Sequence, residues 1–173
     1  MLAPFFLLDI AAAAPGAALT AGASGSYAIA DTEEALQSRS QAAVQATVEP
    51  LNFALRSIAS KRLEEAMTWC SRYTFTIDDR RMSVQCDDLP AVQGALNGAP
   101  TRYTSDKGTS YSVTVSSGED HAVFTFTGQY ATQITTYRFS GTELQVTKEI
   151  HNDNLEVPLH MQINYARAQT ESP

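Results

Sequence analysis

The chain has 173 residues, 43% of them hydrophobic, which suits one globular domain of about 100 to 150 residues plus an appendage. Nineteen acidic residues outnumber twelve basic ones, the net charge is −7, and there are only three lysines. Neutralising several phosphates needs clustered cations, so this balance excludes nucleic acid as an expected partner.

The chain opens on an apolar run, residues 5–30, in which Asp9 is the only charge. Three readings fit it. As a signal peptide it offers Ala21-Gly22-Ala23 as a small-x-small cleavage site but has no basic n-region. As a lone bilayer span it is balanced on a knife edge. Its seven large apolar residues supply roughly 2 to 4 kcal/mol, and one Asp near the centre costs roughly 2.5 to 3.5. As a packing helix it presents small residues four apart, such as Ala12 with Gly16, Ala18 with Gly22, and Ala21 with Gly25, which let backbones approach closely. The expected interface comprises Phe5, Phe6, Leu7, Leu8, Asp9, Gly16, Gly22 and Gly25, packed against like subunits or other proteins, with membrane contact as a further option.

Residues 31–68 read as an amphipathic helix. Asp31 is the expected N-cap, with Glu33 and Glu34 facing the positive end of the helix dipole. Leu36, Val44, Val48, Leu51, Leu55, Ile58 and Ala66 recur at steps compatible with 3.6 residues per turn, a stripe expected to lie on a sheet. Pro50 interrupts it. Either the helix kinks there or Pro50 opens a second helix at its first turn.

From Trp69 the period changes to two. Strands are expected near 71–77, 81–87, 109–116, 121–127, 130–139, 142–150 and 155–166, with a helical turn at 89–97 and a short tail at 168–173. The connectors Ser117-Gly118-Glu119-Asp120, Thr127-Gly128 and Ser140-Gly141 are tight turns, so neighbouring strands should be antiparallel. The expected fold is α+β: the apolar segment (1–30) and a long helix packed on an antiparallel meander of about five to seven strands (69–167).

Cys70 and Cys86 flank a hairpin turning at Asp78-Asp79-Arg80-Arg81. Pairing residues whose numbers sum to about 156 to 159 sets them opposite each other, so a disulfide is expected, and with it an extracytoplasmic home at the cell surface, in the periplasm or secreted. Two reduced, buried thiols are the alternative. No zinc shell forms from two cysteines without a nearby histidine, so no metal is expected. Glu149, His151, Asp153 and His160 gather near the last hairpin, but their spacing matches no metal motif and reads as exposed turn chemistry. Glu149 and Glu156 face each other if 150 pairs with 155, a dyad expected on the wet face. The common catalytic and phosphate-binding motifs are missing. No catalytic residue and no cofactor is therefore named, although dispersed catalytic residues would escape such a search.

"FFLLD" (5–9), an acidic residue four positions after an aromatic in an apolar helix that runs into an amphipathic helix and a disulfide-bearing sheet, resembles the type IV pilins and pseudopilins. The resemblance implies a non-catalytic subunit whose N-terminal helices bundle into a filament or membrane-associated homo-oligomer. The alternative is a small-ligand binder or enzyme built as a helix-covered cone or a cup, NTF2-like or lipocalin-like, whose interior Tyr111, Phe124, Phe126, Tyr130, Tyr137 and Phe139 would line.

Overall fold

A computed structural model describes residue 19 and residues 21–169, and shows a single ten-stranded antiparallel sheet curled into a nearly closed barrel, with two helices. A 3₁₀ turn (Ala21–Ala23) leads into β1 (Gly25–Ile29), then α1 (Glu33–Val48), α2 (Phe53–Ala66), β2 (Arg72–Ile77), β3 (Arg81–Cys86), β4 (Val92–Ala95) and β5 (Thr101–Thr104). The remaining strands are β6 (Ser110–Ser117), β7 (His121–Thr127), β8 (Thr132–Ser140), β9 (Glu143–His151) and β10 (Leu159–Arg167). The sheet order is β4-β3-β2-β1-β10-β9-β8-β7-β6-β5. Every neighbour except β1 with β10 and β1 with β2 is a sequential hairpin, as short turns dictate.

This overturns the expected helix on a meander of five to seven strands. β1 draws residues 25–29 into the sheet, between β2 and β10, so residues 21–29 do not continue an N-terminal helix. The region expected as a helical turn contains β4, paired with β3 through Val84↔Val92 and Arg81↔Ala95. β5 is a further strand that the alternation did not reveal, and the last strand begins at Leu159 instead of residue 155.

The barrel closes where β4 approaches β5 and β6. The two end strands share no ladder, yet Thr101 Oγ1 at the start of β5 donates to the Gln93 carbonyl of β4 at 2.8 Å. Gly94 permits the approach: a Cβ there would stand 2.0 Å from Cγ2 of Val115 on β6. A glycine inside a strand commonly marks such a close contact.

The opposite weak point is the edge of β10. Short β1 pairs only with Tyr165–Arg167, and α1 covers the rest. The Asn164 N–H donates to Asp31 Oδ2 at 2.7 Å, Arg39 Nη1 donates to the Gln162 carbonyl at 2.7 Å, and Thr47 Oγ1 donates to the Pro158 carbonyl at 3.4 Å. Backbone groups that a missing strand would have paired are thus satisfied by side chains of α1 and of Asp31 just before it. Asp31 is therefore not the N-cap. Thr32 is, its hydroxyl accepting from the Ala35 N–H. Asp31 instead bridges Arg39 at 2.6 Å. Burial pushes its carboxyl up, but the hydrogen bonds from Arg39 and Asn164 outweigh this, and its pKa ends below the usual value.

Leu36, Val44 and Val48 of α1 are buried in the same core as the barrel interior. The stripe fails in α2. Pro50 lies in the connector, Asn52 caps α2 by accepting from the Leu55 N–H, and only Leu63 of that helix is buried. Leu55 and Ile58 are 50% and 56% exposed, so the second half of the stripe does not lie on the sheet.

Candidate functional site

The column of inward residues can be traced strand by strand from the register. On β10 it is Leu159, Met161, Ile163 and Tyr165, facing Ile150, Lys148, Val146 and Leu144 of β9. These in turn face Gln133, Thr135, Tyr137 and Phe139 of β8. Phe126, Phe124 and Ala122 of β7 continue the ring, followed by Val113, Val115 and Ser117 of β6. Period-two alternation in a curled sheet puts each of these columns inside.

The interior has two regions of different character. One is a plug of six rings, Tyr27, Phe75, Phe139, Tyr73, Tyr137 and Tyr165, linked at centroid separations of 5.1 to 5.9 Å, edge to face except for the tilted Tyr73–Phe75 pair. The other is a cavity of about 240 Å³. Its walls are Tyr73, Tyr103, Tyr111, Phe126 and Tyr137, together with Val84, Val92, Leu89 and the cystine, and Thr135, Gln133 and Lys148 supply the polar groups.

Lys148 is the singular residue of this cavity. It occupies an inward position of β9 between Thr135 and Met161. Its Nζ donates to the backbone carbonyl of Thr68 at 2.5 Å, and among the described residues no Asp or Glu lines the cavity. Desolvation with no compensating negative charge lowers its pKa from 10.5 to about 8. Close by in the same column, Gln133 Nε2 donates to Thr135 Oγ1 at 3.1 Å. The buried tyrosines shift the other way: burial raises the hydroxyls of Tyr73 and Tyr137 well above 10, so both stay protonated.

The segment that receives Lys148 is held from three directions. Cys70 is bonded to Cys86, the last residue of β3, with Cα atoms 5.4 Å apart. The Asp87 carboxylate accepts from the N–H groups of Ser71 and Arg72 at 3.1 and 2.8 Å. The Tyr165 hydroxyl donates to the Cys70 carbonyl at 3.0 Å. This pinning turns the chain between α2 and β2 into a firm cavity wall.

Of the ring residues expected to line an interior, Tyr111, Phe126 and Tyr137 do so. Phe124 and Phe139 face inward but are absorbed in packing, and Tyr130 is 76% exposed in a turn. Tyr73, Tyr103, Thr135, Gln133 and Lys148 were missed. The signal for Lys148 was present, since Leu144, Val146, Lys148 and Ile150 alternate, which places a cation in an apolar column. Glu149 faces outward, where it meets His151 at 3.2 Å and His160 at 3.7 Å. The register pairs it with His160, so no dyad forms with Glu156, which lies outside the strand. Phe5, Phe6, Leu7, Leu8, Asp9 and Gly16 lie outside the described residues. Gly22 lends its carbonyl to Arg167 Nη1 at 2.9 Å, and Gly25, with φ +135°, begins β1, so both belong to the barrel and its flank. Among the described residues no helix is long and apolar enough to cross a membrane.

No family model and no curated protein matches the sequence. Solved structures do match the fold. A Schistosoma mansoni fatty acid binding protein in complex with arachidonic acid superposes with a TM-score of 0.54 at 15% identity, covering 88% of this chain and 100% of that one. Caenorhabditis elegans lipid binding protein 8 gives 0.52 at 9% identity, with 85% and 96% covered. Human cRBP IV gives 0.51 at 12%, with 84% and 98% covered. At these identities the likeness shows the fold alone, a nearly closed antiparallel β-barrel. It overturns the pilin resemblance and the filament subunit drawn from it. A pilin needs a long helix spine against an open sheet, whereas here the sheet curls into a nearly closed barrel and the described residues form two short helices.

Proposed function

We propose that the chain is a carrier or receptor for one small, largely apolar molecule held inside the barrel, its polar end toward Lys148, Thr135 and Gln133. The observation that supports this is the cavity itself, an interior volume with five aromatic walls and a few convergent polar groups. At about 240 Å³ it falls just below the roughly 300–1,000 Å³ of sites for drug-sized ligands, which favours a short or compact ligand. Two of the structural neighbours, a fatty acid binding protein and a lipid binding protein, point the same way. The Cys70–Cys86 bond supports an oxidising location, cell surface, periplasm or secreted.

The single tryptophan, Trp69, sits between Thr68 and Cys70 of the cavity wall and is a built-in reporter. Titration with a fluorescent apolar probe should give saturable one-to-one binding with a change in Trp69 emission. Val92→Phe, which fills the cavity from edge strand β4, should weaken that binding at least tenfold while leaving the far-ultraviolet circular dichroism unchanged. Equal affinity in the folded variant would refute the interior site.

A further inference from the structure

Lys148 is an expensive way to place a polar group in an apolar cavity. Simple hydrogen bonding could come from Thr135, Gln133 or the tyrosine hydroxyls, and none of those has to shed a charge. Holding an anion by charge is better served by the planar fork of arginine, and no arginine lines the cavity among the described residues. What a desolvated lysine adds is a primary amine able to exist uncharged, and a neutral amine is a nucleophile.

We propose that Lys148 is a reactive lysine that captures a small apolar aldehyde inside the barrel as a reversible imine. The inference rests on the ligand-binding reading of the cavity. In the step, the neutral Nζ adds to the carbonyl carbon, forming a carbinolamine. The carbon–oxygen bond then breaks, and the oxygen leaves as water carrying the two hydrogens that began on Nζ, so that a carbon–nitrogen double bond remains. No oxidant or reductant is consumed. The aromatic walls bury the alkyl part and limit the access of water, which otherwise drives hydrolysis of the imine.

The surroundings suit this chemistry. The titratable groups of the cavity are Tyr73 on β2, Tyr103 on β5, Tyr111 on β6 and Tyr137 on β8, and Glu149 is turned to the outer face. With Tyr73 and Tyr137 kept protonated by burial, the described lining of the cavity holds hydroxyl donors and no carboxylate to fix Nζ as an ammonium. Given the lowered pKa of about 8, about 20% of Lys148 is the free amine at pH 7.4, against about 0.1% for an ordinary lysine. Lower basicity trims the nucleophilicity, leaving an expected advantage of about tenfold.

The chain has only three lysines, and Lys61 and Lys107 are exposed, so the test carries internal references. The full chain is incubated with decanal and cyanoborohydride, which reduces an imine to a stable decylamine, and the adduct is located by peptide mapping. Lys148 should gain one decyl group about tenfold faster than Lys61 or Lys107, with the rate rising to half its plateau near pH 8. Lys148→Arg should abolish that adduct in a variant whose far-ultraviolet circular dichroism matches wild type, with the labelling of Lys61 and Lys107 unchanged. Equal labelling of all three lysines overturns the proposal. So does an unlabelled Lys148 in a protein from which decanal and decanol both displace the probe, and in that case the ligand-binding reading survives. If decanoic acid displaces the probe at least tenfold more tightly than decanol and no imine is trapped, Lys148 is an anion anchor and the proposal also fails. If neither decanal nor decanol displaces the probe, the ligand-binding reading falls and the aldehyde proposal falls with it.

Discussion

Replacing Lys148 by Met tests the electrostatics of the cavity on their own, because Met keeps the unbranched stem and removes the charge. In the folded protein the ammonium is disfavoured, its pKa falling from 10.5 to about 8. The unfolded chain therefore binds more protons between those two values, and stability must rise with pH across that window. At pH 7 both states are protonated and the whole penalty is present, about 3 kcal/mol from 2.5 units at 1.36 kcal/mol each. By pH 9.5 about 2 kcal/mol of it has gone, because most of the folded-state lysine is already neutral. The bond to the Thr68 carbonyl offsets part of the penalty, by about 1.5 to 3 kcal/mol while the lysine is charged. Lys148→Met is accordingly expected to be neutral or up to about 2 kcal/mol stabilising at pH 7, and its advantage over wild type should shrink by about 2 kcal/mol at pH 9.5. Urea denaturation of both proteins at the two pH values measures this directly. Ionisation of the tyrosines cancels in the difference. A stability difference that stays constant from pH 7 to 9.5 would show that Lys148 is not desolvated and would remove the physical basis for a neutral amine.

Three further perturbations probe the wall, the seam and the helix contact. Reducing the Cys70–Cys86 bond, or replacing both residues with Ser, should cost about 3 kcal/mol in urea, since the bond closes a loop spanning 16 positions, and peptide mapping without reductant should recover the linked pair. Gly94→Ala places a Cβ against Val115 at the barrel seam and should destabilise by about 1 to 3 kcal/mol, read as a lowered thermal midpoint. A wild-type midpoint would mean that the seam is loose. Asp31→Ala strips the acceptor from the Asn164 N–H and the partner from Arg39, an expected loss of about 1 to 3 kcal/mol at pH 7. The folded pKa of Asp31 lies below its unfolded value, so this contribution is present above about pH 4 and disappears as the pH falls through the lowered value. Wild type and variant should therefore converge in acid.

The elements that the sequence determined by itself are those whose patterns are long enough to carry a period. Residues 121–127 and 142–150 alternate over most of two strands, and the helix from Glu33 begins at carboxylates placed for the dipole. Tight Gly-containing turns forced those strands into antiparallel hairpins, whatever the rest of the chain did. The cavity rings Tyr111, Phe126 and Tyr137 were legible for the same reason, because alternation alone assigns them to one face.

Tertiary structure decided what short or local patterns cannot specify. β4 and β5 have four residues each, and β1 has five within an Ala- and Gly-rich run, so none shows enough alternation to stand apart from a turn or helix. Closure depended on accumulated twist bringing β4 to β6, and on Gly94 having no side chain to prevent contact with Val115. Leu55 and Ile58 repeat with a helical period yet are exposed, because α1 takes the open edge beside β10 and α2 packs on α1, with Leu63 its one buried residue. The chemistry of Lys148 lies wholly on this side of the division. Its place in the alternating column is a matter of sequence, but its lowered pKa arises only when strands β2 to β8 and the cystine-held segment gather around the amine, with no carboxylate among the described lining residues.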